Sequence, residues 1–182
     1  MERFYLRFKV ILPLLIGVLL CGQLSAQKEN NNWYFGYNAG VTFNTSPPTV
    51  LANGQLRTFA GCATASNSAG QLLFYTDGIS VYNSNHVRIS SALRSTHLAD
   101  QGARIIPFIG DPTRFYITTT VSTNTALVGM FSSVVSGVSP TGGGTVAAPV
   151  RIPGIDTLCI EKQEIIPNSD YTGYWFIVKT IG

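Results

Sequence analysis

A tyrosine, an aspartate and a histidine lie close together in the stretch GQLLFYTDGISVYNSNH (residues 70–86), and these residue types can do acid–base chemistry. A carboxylate can orient a histidine, whose imidazole then takes a proton from a hydroxyl group. Asp77 precedes Gly78, however, and an Asp-Gly pair is typical of a hairpin turn, while Tyr75 continues the alternation of a strand. We therefore favour a structural role for these residues, and we expect His86 to be dispensable for folding.

The sequence lacks the motifs that are typical of other catalytic sites and of metal sites. The nucleophile-elbow pattern GxSxG does not occur, and Cys62, which could act with His86 or His97, sits in a GCAT stretch typical of a packed strand. There is no HExxH, no CxxC and no Asp-rich calcium loop. Residues 142–144 are all glycine but lack a following lysine and a helix start, so they predict a flexible connection. We expect no catalytic residue, metal or cofactor.

Aromatic residues suggest binding and not catalysis, because exposed rings can bind sugars or partner proteins. Trp33 and Tyr34 lie near the start of the mature chain, and together with Tyr82 they are our candidate binding residues. Phe74 and Trp175 sit inside continuous apolar runs, which are typical of strands buried on both faces. We therefore expect Phe74 and Trp175 in the core.

The N-terminal segment has the organisation of a secretory signal peptide. Basic residues precede an apolar run, and small residues then lead to Ala26. We expect cleavage after Ala26, which separates a signal peptide (1–26) from a mature chain (27–182). Lipid attachment at Cys21 is the less favoured alternative, because Leu20 is bulky where a lipoprotein peptidase expects a small residue.

Charge and hydropathy exclude several classes of partner. Removing residues 1–26 takes away three of the 12 basic and one of the 9 acidic residues, which leaves nine against eight and a net charge of +1. The mature chain lacks the basic stripe of a nucleic-acid-binding protein. The apolar run of the signal is shorter than the roughly 20 residues that span a bilayer, so we do not expect an uncleaved membrane anchor. We also expect no membrane span after cleavage.

Two cysteines remain in the mature chain. Cys62 and Cys159 could form a disulfide in an oxidising compartment. Their separation in sequence says nothing about their distance in space, so two buried free thiols are the alternative.

Turn signals punctuate short β-prone runs along the whole mature chain, and no segment shows a convincing helical period. In residues 70–89, a strand leads into the Asp-Gly turn, a second strand follows over residues 79–82, and a third begins at His86. Residues 91–101 predict a loop, with one turn of helix as the only helical option. We expect an all-β fold of antiparallel meanders.

A weak internal repeat places a polar turn before a strand with two or three adjacent large apolar residues. It occurs at residues 67–76, 110–119 and 168–178, and the central aromatic residues of these units lie 42 and 60 residues apart. Propeller blades recur at roughly 40 to 50 residues, so the first interval fits and the second requires an insertion, for which residues 136–145 are suited. We expect a partial β-propeller-like array.

Several of these motifs occur together in one known family. The segments WYFGYNAG (33–40), GCAT (61–64), LLFYTDG (72–78) and NSNH (83–86) closely resemble the N-terminal region of large secreted proteins of gliding bacteria. Those proteins usually end in a gliding-motility-associated, type IX secretion sorting domain. The resemblance continues more loosely over nearly all of the mature chain. It implies a propeller-like region in a protein that is exported and held at, or released from, the cell surface.

This sequence departs from that family at its C-terminal end. It stops shortly after a strand and has no sorting domain, so we expect a fragment, an incomplete gene or a divergent short member. An incomplete array would leave strand edges unpaired, such as residues 174–179, and open edges favour self-association.

The sequence therefore predicts an exported, non-catalytic β module, at the cell surface or secreted, that binds a surface glycan or a protein. The alternative is a secreted hydrolase whose catalytic residues lie in an appended region or around Asp77 and His86. A screen against glycans, matrix proteins and ester, peptide and glycoside substrates discriminates between the two.

Overall fold

The computed structural model describes residues 28–96, 98–120, 129–155 and 159–180, with the backbone alone at residues 159–161 and 180. The predicted signal peptide (1–26) and His97 lie outside these ranges. The described residues form strands, turns and loops and contain no helix, which confirms the prediction of an all-β fold.

Fourteen strands of the described residues form four antiparallel sheets, each built from consecutive strands. The first sheet contains β1 (Asn32–Phe35), β2 (Ala39–Thr42) and β3 (Thr49–Leu51). The second contains β4 (Ala63–Ser66), β5 (Leu72–Thr76), β6 (Val81–Asn83) and β7 (Arg88–Ser90). The third contains β8 (Ala103–Phe108), β9 (Asp111–Thr120), β10 (Met130–Ser139), β11 (Gly142–Val146) and β12 (Val150–Arg151). The fourth is a hairpin of β13 (Cys159–Pro167) and β14 (Tyr174–Thr180).

Strands that are neighbours in a sheet are nearly always neighbours in sequence, so the sheets are simple meanders. The one exception is β12, which pairs with the start of β10 while β11 pairs with its end. The first strand of each sheet lies at an edge of that sheet, and within the described residues none of the sheets closes on itself.

The second sheet contains the predicted meander, but its turns are longer than expected. The predicted Asp-Gly turn is a four-residue loop, because Oδ1 of Asp77 accepts hydrogen bonds from the backbone N–H groups of Ile79 (2.9 Å) and Ser80 (2.6 Å). The prediction that β6 begins at residue 79 is therefore wrong. His86 does not begin the third strand either, since it lies in the β6–β7 turn with a φ of +62°.

The three repeat units predicted from the sequence occupy equivalent places in three sheets. Each unit supplies the turn that follows a first strand and then the second strand, which is β5, β9 or β14. The longer second interval reflects the extra strands of the third sheet, and the segment suited to an insertion (136–145) lies in the β10–β11 hairpin.

The glycine triplet at residues 142–144 is not the flexible connection that we predicted, because it begins β11. A Cβ on Gly142 would collide with the side chain of Asn85 in the β6–β7 turn. Glycine thus lets this turn approach the β10–β11 hairpin, where Oγ of Ser84 donates a hydrogen bond to the carbonyl of Ser139 (2.8 Å).

The main hydrophobic core lies between the second and third sheets. Phe74 is fully buried there and meets Phe115 edge-on, with ring centroids 5.2 Å apart, which confirms the predicted core position of Phe74. The buried members of this core are Ala65, Leu73, Phe74, Val81, Leu93, Ala103, Phe115, Ile117, Val135 and Val138.

A buried glutamine of the fourth sheet makes hydrogen bonds to the third sheet and to the loop that precedes it. The side chain of Gln163 in β13 accepts a hydrogen bond from Oγ1 of Thr118 (2.5 Å) and donates one to the carbonyl of Gln101 (3.1 Å). Trp175 in β14 is 67% exposed, so the prediction that it belongs to the core is wrong. Alternate residues of its apolar run are exposed and half-buried, which shows that β14 is covered on one face only.

Candidate functional site

Four hydrogen-bonded side chains, which we call the Tyr–His cluster, join the first and second sheets: Tyr34, Asn53, Tyr75 and His86. Tyr75 is fully buried in β5, and its Oη accepts a hydrogen bond from the backbone N–H of Gln55 (3.2 Å). Nδ1 of His86 lies 3.0 Å from the same oxygen, and Nε2 lies 2.7 Å from Nδ2 of Asn53. Oη of Tyr34 donates to Oδ1 of Asn53 (3.1 Å).

These hydrogen bonds assign the proton positions on His86. The amide oxygen of Asn53 accepts from Tyr34, so its N–H group faces Nε2 of the histidine, which must be an acceptor without a proton. Nδ1 then carries the proton and donates to Tyr75. Burial lowers the pKa of His86, which favours this neutral form.

The aromatic rings around His86 stack on one another. The ring centroids of Tyr34 and Tyr75 lie 4.5 Å apart, and those of Tyr75 and Tyr82 lie 5.4 Å apart, both in near-parallel pairs. Burial raises the pKa of Tyr34 and Tyr75, so both phenols are neutral near pH 7. The hydrogen bonds of this cluster join the first and second sheets, and both ring nitrogens of His86 are engaged in them.

The candidate binding residues differ in their exposure. Tyr34 is only 4% exposed, so our expectation of a surface residue is wrong, and Tyr82 is half-buried in the same ring stack. Trp33 is 53% exposed. The difference arises because side chains alternate along β1, with Asn32 and Tyr34 on the buried face and Trp33 and Phe35 on the exposed face.

Asp77 and His86, the pair considered for catalysis, are not hydrogen-bonded to each other. Asp77 lies in the loop before β6, where its carboxylate accepts from two backbone N–H groups. His86 lies in the turn after β6, where its ring contacts Tyr75 and Asn53. The carboxylate therefore shapes a turn, as the sequence indicated, and does not orient the imidazole.

An open cleft of about 770 Å³ lies where the first strands of three successive sheets, β1, β4 and β8, meet. Trp33 and Phe35 form an aromatic wall of this cleft. The indole Nε1 of Trp33 donates a hydrogen bond to the carbonyl of Asn30 (2.8 Å), and its ring packs against Phe43 with centroids 5.4 Å apart. These contacts hold the indole in a fixed orientation.

Polar groups complete the lining of the cleft. Arg104 in β8 directs Nη2 at the carbonyl of Gln163 and at the carboxylate of Glu164, both at 3.2 Å. Asp100 and Gln101 line the cleft just before β8. One acidic and one basic residue therefore line the cleft, and their charges balance. Aromatic faces combined with amide and guanidinium groups suit a polar ligand without a large net charge.

Cys62 also lines the cleft, and its thiol is free. Burial and, to a smaller extent, the carboxylate of Asp77 raise the pKa of this thiol. The protonated form predominates near pH 7, so Cys62 is a poor nucleophile. The side chain of Cys159 lies outside the described residues, and its disulfide with Cys62 stays a prediction.

Phe35, Arg104 and the cleft itself were not predicted from the sequence. The spacing of Trp33 and Phe35, two residues apart in a short β-prone run, was a signal for a shared face. Arg104 had no local signal, because Gln163 and Glu164, its two hydrogen-bond partners, follow it by 59 and 60 residues in the sequence.

In the part of the chain that the structure describes, no three His, Cys, Asp or Glu side chains form a group that could hold a metal ion. In these same segments, no helix is long and apolar enough to cross a membrane. Comparisons with protein-family models, curated proteins and solved structures found no match to this chain.

Proposed function

We propose that this chain is an exported, non-catalytic β module that binds a surface glycan or a protein in the cleft beside Trp33. The observation that carries this proposal is the aromatic wall, in which Trp33 is 53% and Phe35 is 41% exposed. Aromatic residues are enriched where proteins contact their ligands, and two adjacent exposed rings in a concave site favour binding.

The size and charge of the cleft support this proposal. Its volume of about 770 Å³ falls within the range of roughly 300 to 1,000 Å³ that is typical of ligand sites. Its balanced charges suit a neutral glycan or a polar peptide. They do not suit nucleic acid, whose binding requires several cationic side chains.

The position of the cleft supports a propeller-like arrangement of the sheets. In a β-propeller, blades of four-stranded sheets surround a central channel. Here the first strands of three successive sheets line one cleft, which would correspond to that channel. The resemblance of residues 33–86 to secreted proteins of gliding bacteria agrees with this arrangement and with a place at the cell surface.

Export rests on the signal segment at residues 1–26. We expect protein recovered outside the cell to begin at Gln27, because signal peptidase cleaves after small residues that follow an apolar run. Intact-mass measurement tests this. A diacylglyceryl group on Cys21 would show that the chain is a lipoprotein instead.

The binding test compares two exposed tryptophans. The parent protein is screened at low concentration against arrays of glycans and matrix proteins, together with Trp33→Ala and a matched control, Trp175→Ala. Trp175 is exposed but lies in β14, outside the cleft. We expect Trp33→Ala alone to lose binding while both variants keep the thermal stability of the parent. Equal losses in the two variants, or no ligand for the parent, would contradict the proposal.

The same preparation tests the hydrolase alternative with ester, peptide and glycoside substrates. We expect no turnover. Turnover that His86→Ala abolished without changing the thermal melting curve would replace the binding proposal with an enzymatic one.

A further inference from the structure

The two outer edges of the fourth sheet differ in how their backbone groups are satisfied. On β13, the backbone N–H of Gln163 donates to Oε1 of Gln101 (3.0 Å), and its carbonyl accepts from Nη2 of Arg104 (3.2 Å). Side chains of β8 and of the turn before it thus cap β13 at this point. Among the described strands, β14 pairs with β13 alone, and its other edge, which we call the open edge, has no partner in these segments.

The hydrogen bonds of Gln163 also determine which backbone groups the open edge presents. Because its N–H and C=O point away from β14, Gln163 and its cross-strand partner Val178 form a non-hydrogen-bonded pair. The N–H and C=O of Val178 therefore point outward. Backbone direction alternates along a strand, so those of Phe176 and Tyr174 point outward too. Such a row of unpaired donors and acceptors is a template for another strand.

The side chains of β14 do not protect this edge. Trp175 (67% exposed), Ile177 (53% exposed) and Lys179 share its outer face, and Ile166 of β13 lies directly opposite Trp175. The strand has no proline and a single charge, whereas protected edge strands usually carry several such features. Its apolar, β-prone sequence favours pairing with a further strand.

We propose that β14 pairs antiparallel with β14 of a second copy of this chain, about a two-fold axis at Ile177. Ile177 is the central residue of Tyr174–Thr180, so this register pairs the whole strand. Ile177 then faces Ile177 of the partner subunit in a close, non-hydrogen-bonded pair, while Phe176 exchanges backbone hydrogen bonds with Val178 of the partner subunit.

Lys179 selects the antiparallel orientation. In this register its ammonium group lies opposite Trp175 of the partner subunit on the same exposed face, where the indole can attract it by a cation–π interaction. A parallel pairing through the same edge of both copies would turn one copy over, so that Lys179 and Trp175 of the partner subunit would lie on opposite faces of the sheet and could not meet. Because an antiparallel pair of identical edges forms a closed two-fold contact, the expected product is a dimer and not a filament.

The first test is the oligomeric state of the full chain, measured by size-exclusion chromatography with light scattering over a dilution series. We expect a concentration-dependent dimer. Ile177→Lys places two lysines opposite each other at the axis, so this variant should be monomeric at concentrations where the parent is dimeric. The matched control is Ile166→Lys, which introduces the same charge on the same face of the fourth sheet but on β13, and it should leave the dimer intact.

Thermal melts establish that both lysine variants are folded. A parent chain that stays monomeric at all concentrations, or assembles beyond a dimer, would overturn the proposal. So would two lysine variants that behave alike, because the contact would then not depend on the edge of β14.

The second test determines the register. Non-hydrogen-bonded pairs have Cα atoms about 4.5 Å apart, which a disulfide can bridge. Ile177→Cys should therefore yield a covalent dimer on mild oxidation, above the background that the natural cysteines give in the parent. Phe176→Cys should not. Crosslinking of Phe176→Cys in place of Ile177→Cys would place the axis elsewhere and refute this register.

Discussion

Nδ1 of His86 lies 3.0 Å from Oη of Tyr75, so a turn of the second sheet is hydrogen-bonded to a fully buried residue between the first and second sheets. The other ring nitrogen reaches Asn53 at the opposite side of the Tyr–His cluster. We therefore expect His86→Ala to destabilise the fold by about 1 to 3 kcal/mol, because it removes the hydrogen bonds that the two ring nitrogens make to Tyr75 and Asn53. Denaturant unfolding measures this. An unchanged free energy of unfolding would support the sequence-based expectation that His86 is dispensable.

The stability of the fold should fall in mild acid. Burial lowers the pKa of His86 below its ordinary value of 6.5, so the unfolded chain binds the proton more readily than the folded chain. The contribution of the neutral ring is complete above pH 6.5 and is lost as the pH falls through the lowered pKa. A proton on Nε2 would also face the side-chain N–H of Asn53, so the hydrogen bond between these two nitrogens would be lost. Melting temperatures between pH 7.5 and 5 test this.

The controls for the pH experiment are His86→Gln and His97→Gln. The melting temperature of His86→Gln should fall less than that of the parent as the pH is lowered. His97→Gln shows how much of the fall is due to titration of the other histidine. An equal pH dependence in the parent and in His86→Gln would assign the effect to other groups.

Asp77→Ala should destabilise the fold by about 1 to 3 kcal/mol, because the backbone N–H groups of Ile79 and Ser80 lose a buried acceptor. Asp77→Asn keeps an acceptor oxygen at the same position, so it should destabilise the fold less than Asp77→Ala does. The matched control is Asp170→Ala, which removes an equivalent turn aspartate at an exposed position and should have a smaller effect. Equal losses in the two alanine variants would show that burial of Asp77 is unimportant.

Phe74→Ala should cost about 3 to 5 kcal/mol of unfolding free energy, since the ring is fully buried against Phe115 in the main core. The same truncation at Phe59, which is 75% exposed, should cost less than about 1 kcal/mol. Urea unfolding of the two variants provides the comparison. Similar costs at both positions would place the core elsewhere.

Cys62 should react slowly with iodoacetamide near pH 7.5, because burial raises the pKa of its thiol and limits access. Unfolding in urea should make it reactive. Peptide mapping without reductant identifies the alkylated residue. A Cys62 that stayed unlabelled in urea until reduction, in a peptide linked to Cys159, would establish the disulfide that the sequence permits.

Local patterns predicted much of this fold. Turn residues located the hairpins, and the repeat of a polar turn before an aromatic strand located the second strand of three sheets. The length of the loop after β5 was not predictable from the Asp-Gly pair, because the carboxylate of Asp77 stabilises a wider turn by binding two successive N–H groups.

Burial of individual aromatic residues depended on the neighbouring sheets. Tyr34 is buried because Tyr75, from another sheet, stacks on it at 4.5 Å. Trp175 is exposed because the structure covers only one face of its strand. Both lie in apolar runs, and such a run does not show whether one face or two will be covered. The cleft was unpredictable for the same reason, since Trp33, Cys62 and Arg104 meet only through packing of separate sheets.

Each sheet consists of consecutive strands, and the main core forms between sheets that follow one another in the chain. Any process that releases the chain from its N-terminus, such as synthesis on a ribosome, therefore presents one complete sheet at a time. The first sheet can form before the second sheet has emerged, but Tyr34 gains its stacking partner Tyr75 only when β5 has emerged. The order of the sheets along the sequence is thus also the order in which they can fold.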